Sequence, residues 1–123
     1  EDDSVSDAYS SIAMRLEECM EKEKIYLNPK LSLQDVAAKV GTNRTYLSDY
    51  LNHVQNMTFY EYINQMRVRE ACMIIDSMSA DNPLSMQSVA DMSGFNSIST
   101  FNRSFTKAVG MTPGEYARKR SAS

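Results

Sequence analysis

The side chains of this sequence that could do chemistry are hydrogen-bond donors and acceptors rather than catalytic groups. Asn, Ser, Thr and Arg are concentrated in two short stretches, residues 43–49 and 96–107. The 123 residues include a single histidine, His53, and two widely separated cysteines, Cys19 and Cys72. The sequence has no metal-spaced Cys/His set, no Gly-rich phosphate loop and no nucleophile beside a base. No catalytic residue, metal or cofactor is therefore predicted, and the chain is not expected to be an enzyme.

Both stretches belong to a duplicated piece of sequence. LSLQDVAAKVGTN, beginning at Leu31, reappears as LSMQSVADMSGFN, beginning at Leu84. NMTFYEY, from Asn56, is matched by GMTPGEY, from Gly110, so the second copy has one extra residue after its glycine. A repeat indicates the architecture before any single residue is interpreted. Two copies are too few for a solenoid and indicate two small modules built on one plan.

Each copy has the pattern of a helix-turn-helix. In the first copy, Ser32 is placed to cap a short helix, and the small side chain of Ala37 lets a second helix pack closely. Gly41 ends the first helix in the left-handed conformation, and Leu47 anchors the second. The equivalents in the second copy are Ser85, Ala90, Gly94 and Phe101. The second helices are predicted to start at Asn43 and Asn96.

The other elements are helical as well. An amphipathic helix capped by Ser6 or Asp7 is predicted to run to about Tyr26, and a linker helix to cover residues 58–78. A last short helix begins at Pro113. We therefore predict an all-α fold of about seven helices, with two homeodomain-like helix-turn-helix lobes joined by a long linker helix. The parts are residues 1–26 (N-terminal helix, connecting to an upstream domain), 27–56 (first lobe), 57–79 (linker helix), 80–120 (second lobe) and 121–123 (tail).

The net charge of −3 is unevenly distributed. Residues 1–30 hold eight acidic and four basic residues, whereas residues 31–123 hold eight acidic and nine basic ones. From Leu84 onward there are five basic and two acidic residues. Because local patches matter more for binding than the total, the repeat region is compatible with nucleic acid despite the acidic front.

At this level of detail the sequence resembles the DNA-binding domain of the AraC/XylS family of bacterial transcription regulators. The likeness covers residues 27–120 and is carried by LSLQDVAAKVGTNRTYLSDYLN, FYEYINQMRVREA and SVADMSGFNSISTFNRSFTKAVGMTPGEYARKR. The resemblance implies two helix-turn-helix lobes and promoter binding. It also implies an effector-sensing or signalling region elsewhere in the protein.

The exposed N-terminal faces of the two second helices are the expected DNA-reading surfaces. The candidate DNA-binding residues are Asn43, Arg44, Thr45, Tyr46, Ser48 and Asp49 in the first lobe, and Asn96, Ser97, Ile98, Ser99, Thr100, Arg103 and Lys107 in the second. The resemblance implies that base contacts fall on Thr45, Ser48, Asp49, Ile98, Ser99, Thr100 and Arg103. Arg103 can donate to guanine or to a phosphate, and Ile98 can meet a thymine methyl. Arg44 and Lys107 suit the DNA backbone better.

One acidic residue, Asp49, and one basic residue, Arg67, lie at positions where their charge is unexpected. Asp49 departs from the family, which often has a basic or amide residue there, because a carboxylate repels phosphate and can accept only from a base amino group such as cytosine N4. We therefore hypothesise that the second lobe supplies more of the affinity. Arg67 lies in the apolar stripe of the linker helix and is expected to pair with a buried carboxylate or carbonyl rather than with DNA.

Sequence-specific binding of double-stranded promoter DNA is thus the predicted function, with the two second helices in successive major grooves. A linker of 21 residues would be about 31 Å long, close to the ~34 Å between such grooves. The alternative is a helix-turn-helix-fold protein-interaction module with weak or no DNA binding. Expected partners are RNA polymerase and an upstream sensor or dimerisation region outside this sequence, with no small-molecule site within it. The expected location is cytoplasmic, either free or as the cytoplasmic part of a membrane-anchored regulator.

Overall fold

Seven α-helices make up the part of the chain that the structure describes. The structure is a computed structural model that describes residues 2–121, with side chains from Tyr9 onward. The helices are α1 Asp2–Glu18, α2 Leu33–Val40, α3 Arg44–Tyr50, α4 Phe59–Asp76, α5 Met86–Met92, α6 Ile98–Val109 and α7 Pro113–Ser121. Within residues 2–121 there is no β-strand, and one isolated bridge joins Ser79 and Asn82. The predicted all-α class is confirmed. No helix of this part is long and apolar enough to cross a membrane.

These helices form two compact units with interleaved sequence. The first unit comprises Glu1–Ile25 and Lys30–Tyr62, and the second comprises Tyr26–Pro29 and Ile63–Ser123. The first unit therefore contains α1, α2 and α3, and the second contains α5, α6 and α7, while α4 begins in one and continues in the other. We call Tyr26–Pro29 the crossover segment, because it lies in the sequence between α1 and α2 but belongs to the second unit.

In the first unit, α1 packs against both helices of the first helix-turn-helix. Its apolar face buries Ile12 and Leu16 beside the buried residues of α2 and α3, which are Val36, Ala37, Val40, Leu47 and Tyr50. The Arg15 guanidinium (Nη1) donates to the carbonyl oxygen of Val40, the last residue of α2, at 3.0 Å. At the other end of α2, Ser32 is the predicted N-cap, and it forms a capping box with Asp35. The N-terminal helix is thus a structural layer of the first unit.

The second unit has an aromatic core. Phe101 and Phe105 of α6 are fully buried and pack with Phe95, with neighbouring ring centroids 5.3 and 5.8 Å apart. Tyr116 of α7 closes this core, with its ring 5.5 Å from that of Phe105. Its hydroxyl donates to Asp76 Oδ1 at 3.1 Å. Burial, followed by this hydrogen bond to the carboxylate, raises the pKa of Tyr116 to about 12.

Several helix boundaries differ from the predicted ones. Helix α1 begins at Asp2, so the prediction of an N-cap at Ser6 or Asp7 is wrong, and the side chains of both lie outside the described residues. No helix breaker precedes Ser6, and acidic residues favour a first helical turn. Helix α1 also ends before Tyr26, in a π-helical turn over Cys19–Glu23 that Lys24 closes in the left-handed conformation.

The end of α4 also differs from the prediction, and α3 is followed by a further helical turn. Helix α4 stops at Asp76, two residues early, because the Met78 amide donates to the Ile75 carbonyl at 3.0 Å, three residues back instead of four. Helix α3 continues as a π-helical turn over Leu51–Gln55, which Asn56 closes in the left-handed conformation.

Candidate nucleic-acid interface

A tight turn sets the start of α3, the candidate recognition helix of the first lobe; α6 is the candidate recognition helix of the second. Gly41 ends α2 in the left-handed conformation (φ 84°), and its amide donates to the carbonyls of Ala37 and Ala38. The side-chain oxygen of Asn43 then accepts from the Tyr46 amide at 2.9 Å. Asn43 is therefore the N-cap of α3, as predicted. The side-chain oxygen of Asn43 is thus used in the helix cap, and the role of Asn43 is to fix where α3 begins.

The outer face of α3 carries the candidate residues of the first lobe. Leu47 and Tyr50 are buried and hold the opposite face against the unit's core. Four candidates are exposed (Arg44, Thr45, Tyr46 and Asp49), and Ser48 is half-buried. Tyr46 is 54% exposed, so a large ring lies on this surface. The only nearby imidazole, that of His53, has its Nδ1 2.9 Å from the Asp49 carbonyl oxygen.

The turn before the second recognition helix, α6, contains the extra residue of the repeat. Gly94 is left-handed (φ 94°), as predicted. Helix α6 begins at Ile98, and Ser97 is its N-cap, accepting from the Thr100 amide at 3.2 Å. The prediction that this helix starts at Asn96 is therefore wrong. Asn and Ser are both good caps, and the serine is used because the inserted residue lengthens the turn by one position.

This insertion changes which residues of the two lobes are equivalent. Asp49 is the sixth residue of α3, and Arg103 is the sixth residue of α6. Leu47 and Phe101, the buried anchors, are likewise both fourth in their helices. The two lobes thus carry opposite charges at the same position of their recognition helices.

The candidate residues of the second lobe lie on and just before α6. Five are exposed (Asn96, Ser97, Ser99, Arg103 and Lys107), and Ile98 and Thr100 are half-buried. The Ser97 hydroxyl donates to the Thr100 hydroxyl at 3.1 Å, so both belong to the cap. Ile98 packs against the core of the second unit. Asn96, Ser99, Arg103 and Lys107 are therefore the exposed candidates that take no part in the cap, and the last three lie on α6 itself.

The two recognition helices differ in charge. Helix α6, twelve residues long, contains Arg103 and Lys107 and no acidic residue. Helix α3, seven residues long, contains Arg44 and Asp49, whose charges cancel. A polyanion would therefore meet a cationic face on α6 and a neutral one on α3.

Arg67 lies inside the second unit, as its position in the apolar stripe predicted. Its side chain is 8% exposed, and burial lowers the pKa of the guanidinium. Nε donates to the Tyr26 carbonyl at 2.8 Å and Nη2 to the Asn28 carbonyl at 2.9 Å. The expectation that Arg67 pairs with a buried carbonyl is confirmed. What the sequence did not indicate is that both carbonyls belong to the crossover segment, since nothing local signals a contact over some forty residues.

The chain is similar to known helix-turn-helix proteins. A helix-turn-helix domain family model matches residues 36–119. The melibiose operon regulatory protein of Escherichia coli is 32% identical over 88 residues, which is 72% of this chain and 28% of that protein. The Msm operon regulatory protein of Streptococcus mutans is 25% identical over 116 residues, 85% of this chain and 40% of that protein. The chain thus spans well under half the length of these relatives.

Solved structures share the fold. The C-terminal domain of AraT, a response regulator from Geobacillus stearothermophilus, superposes with a TM-score of 0.74 at 23% identity, covering 91% of this chain and 88% of that one. The DNA-binding domain of the transcription factor AdpA, solved with a target DNA, gives a TM-score of 0.67 at 17% identity, covering 89% and 88%.

The two helix-turn-helix units and the family match place this chain among the DNA-binding domains of transcription regulators. The chain belongs to the AraC/XylS family of these regulators, as its sequence indicated. This family is not a class of enzymes.

Proposed function

We propose that this chain binds double-stranded promoter DNA sequence-specifically, with α3 and α6 as its two recognition helices. The observation that carries the proposal is the exposed face of α6, where Arg103 and Lys107 extend beside Ser99 and no carboxylate is present. In this assignment Arg103 donates to a guanine or a phosphate, and Lys107 neutralises phosphate. Because Asp49 occupies in α3 the position of Arg103 in α6, the second lobe supplies more of the affinity than the first.

The two recognition helices are proposed to occupy successive major grooves. Helix α4 has 18 residues, which at ~1.5 Å per residue makes it about 27 Å long. That is shorter than the predicted helix but of the same order as the ~34 Å groove repeat. Ethylation interference on a bound duplex tests this assignment. We expect two clusters of essential phosphates on one face, one helical turn apart, whereas a single cluster would contradict it.

The remaining parts take their roles from the same proposal. Residues 27–56 and 80–120 are the two reading lobes, although residues 27–29 pack in the second unit. Residues 57–79 are the linker, residues 121–123 a tail, and residues 1–26, which include the layer that α1 adds to the first unit, the connection to an upstream sensor or dimerisation region. RNA polymerase is the proposed protein partner at the promoter, and the cytoplasm the proposed location. No small-molecule site is assigned to this part of the protein.

Fluorescence anisotropy at two salt concentrations tests the DNA-binding proposal. The probes are a random duplex and a duplex enriched by this chain from a randomised library. Binding to phosphates releases counterions, so log K is expected to fall with log salt by about 0.9 for each phosphate contacted. The enriched duplex is expected to bind at least about 10³ times more tightly than the random one.

A protein-interaction module is the second candidate, favoured by Asp49 on α3 and by the net charge of −3. A folded chain that enriches no sequence from the library and does not bind the random duplex at low salt would support this module and refute the DNA-binding proposal. Circular dichroism in the same buffer establishes that the chain is folded.

A further inference from the structure

The crossover segment, Tyr26–Pro29, lies against the turn of the second helix-turn-helix. A Cβ atom on Gly94 would lie 2.5 Å from the Tyr26 carbonyl oxygen and 2.8 Å from the Leu27 Cα. Only a residue without a side chain allows so close an approach, because real Cβ atoms do not come this near to backbone. Gly94 itself is buried. The turn before α6 therefore rests directly on the backbone of the crossover segment.

Arg67 holds the crossover segment in this place. Two of its nitrogens donate to the carbonyls of Tyr26 and Asn28, and Nη1 lies 3.4 Å from the Asn64 side-chain oxygen. A buried guanidinium is costly unless its donors are engaged, so removal of these acceptors would be strongly unfavourable. The crossover segment begins inside a short 3-10 helix, Ile25–Leu27, and its remaining residues, Asn28 and Pro29, belong to no helix or strand. Arg67 thus gives it the fixed geometry that its own secondary structure does not.

The same guanidinium connects to the core beneath α6. Its Cζ lies 6.0 Å from the centroid of the Phe95 ring, which follows Gly94 in the turn. Phe95 in turn meets the Phe101 ring of α6 edge-on at 5.3 Å. Two continuous paths therefore lead from Arg67 to α6. One passes through the crossover segment and the backbone of Gly94, and the other through the two aromatic rings.

We propose that Arg67 is a positioning residue for DNA recognition by the second lobe, because it holds the crossover segment against the Gly94 turn and thereby fixes the orientation of α6. This rests on the proposed function. Arg67 touches no DNA in this role. Its contribution is to sequence discrimination, which requires base contacts in exact register, whereas contacts to phosphate tolerate a small rotation of the helix.

Three substitutions test the proposal: Arg67→Met, Arg67→Lys and the control Arg69→Met. Arg69 lies on the same helix at an exposed position, so its substitution removes the same charge without uncovering the crossover segment. For R67M we expect the affinity for the enriched duplex to fall roughly tenfold, while affinity for the random duplex and its salt dependence stay unchanged. R67K keeps the charge but cannot reach both carbonyls, so a smaller fall is expected. R69M is expected to keep the ratio of the two affinities.

An equal loss for both duplexes in R67M, with a salt dependence weaker by about one phosphate, would overturn the proposal, since Arg67 would then be a phosphate contact. An unchanged ratio of the affinities for the enriched and random duplexes in a folded R67K would overturn it as well. If R67M does not fold, this R67K measurement alone decides. Hydrogen exchange of the DNA-free protein separates this inference from the proposed function. We expect the amides of residues 94–100 to exchange faster in R67K than in R69M, and equal rates would refute positioning even if the wild-type chain binds no duplex.

Discussion

Replacing Gly94 by alanine is expected to lower the free energy of unfolding by about 2–4 kcal/mol. The left-handed φ of 94° costs an alanine roughly 1–2 kcal/mol. The added methyl meets backbone atoms 2.5 and 2.8 Å away, and such overpacking costs about 1–3 kcal/mol more. The lower entropy of unfolded alanine returns ~0.4–1 kcal/mol. For a chain of this size the melting temperature should fall by roughly 10–15 °C.

Two other glycines separate backbone strain from crowding. Gly110 has nearly the same φ, 88°, but a Cβ there would have nothing within 4 Å. Gly110→Ala should therefore cost only about 1 kcal/mol. Gly41, at φ 84°, faces only the end of the Arg15 side chain, which can move aside, so Gly41→Ala should fall between the two. Thermal unfolding followed by circular dichroism measures all three. Equal melting temperatures for the Gly94 and Gly110 variants would refute the claim that the crossover segment presses on this turn.

Three further predictions concern binding and ionisation. Arg103→Ala should weaken binding to the enriched duplex by about 1–3 kcal/mol. Arg44→Ala should weaken it less and mainly reduce the salt dependence. An equal or larger loss of affinity from Arg44→Ala, measured by anisotropy, would overturn the proposed inequality of the lobes. Asp49→Asn should strengthen binding to a random duplex several-fold at low salt, with the gain shrinking as salt screens the carboxylate; weaker binding would mean that Asp49 contacts DNA favourably. Because the pKa of Tyr116 is raised to about 12, the stability from its proton-bearing hydroxyl is present below the unfolded pKa of about 10 and lost as pH rises towards 12. In an absorbance titration at alkaline pH, Tyr116→Phe should remove a tyrosine that ionises near pH 12, and an unchanged titration in that range would count against the burial of Tyr116 and its hydrogen bond to Asp76.

The sequence predicted what is encoded locally. Ser32, Asn43 and Ser85 cap helices as expected, because a cap depends only on a short side chain and the next three amides. Gly41 and Gly94 adopt left-handed conformations for the same local reason. The buried stripe of α4 followed from its spacing, including the confinement of Arg67 to a buried, hydrogen-bonded position.

What the sequence did not indicate depends on contacts between distant residues or on a choice between equals. Asn96 and Ser97 are adjacent and equally suited to cap a helix, and only the packing of Phe101 decides which of them does. The π-helical turns that Lys24 and Asn56 close gave no clear signal, although asparagine tolerates the left-handed conformation. The equivalence of Asp49 and Arg103 depends on the position of the extra residue, which lies in the turn before α6. Which candidate residues touch DNA stays a prediction.

The crossover segment has a consequence for how the protein can be divided and made. It is synthesised before the first helix-turn-helix. Its hydrogen bonds to Arg67 and its contact with Gly94 can form only after α4 and α5 have been synthesised. No single cut of the chain separates the two units, because each cut leaves one of them without residues that it needs. A fragment that begins after Tyr62 therefore lacks the crossover segment, and it is expected to lose both the acceptors of Arg67 and the backbone that packs on Gly94.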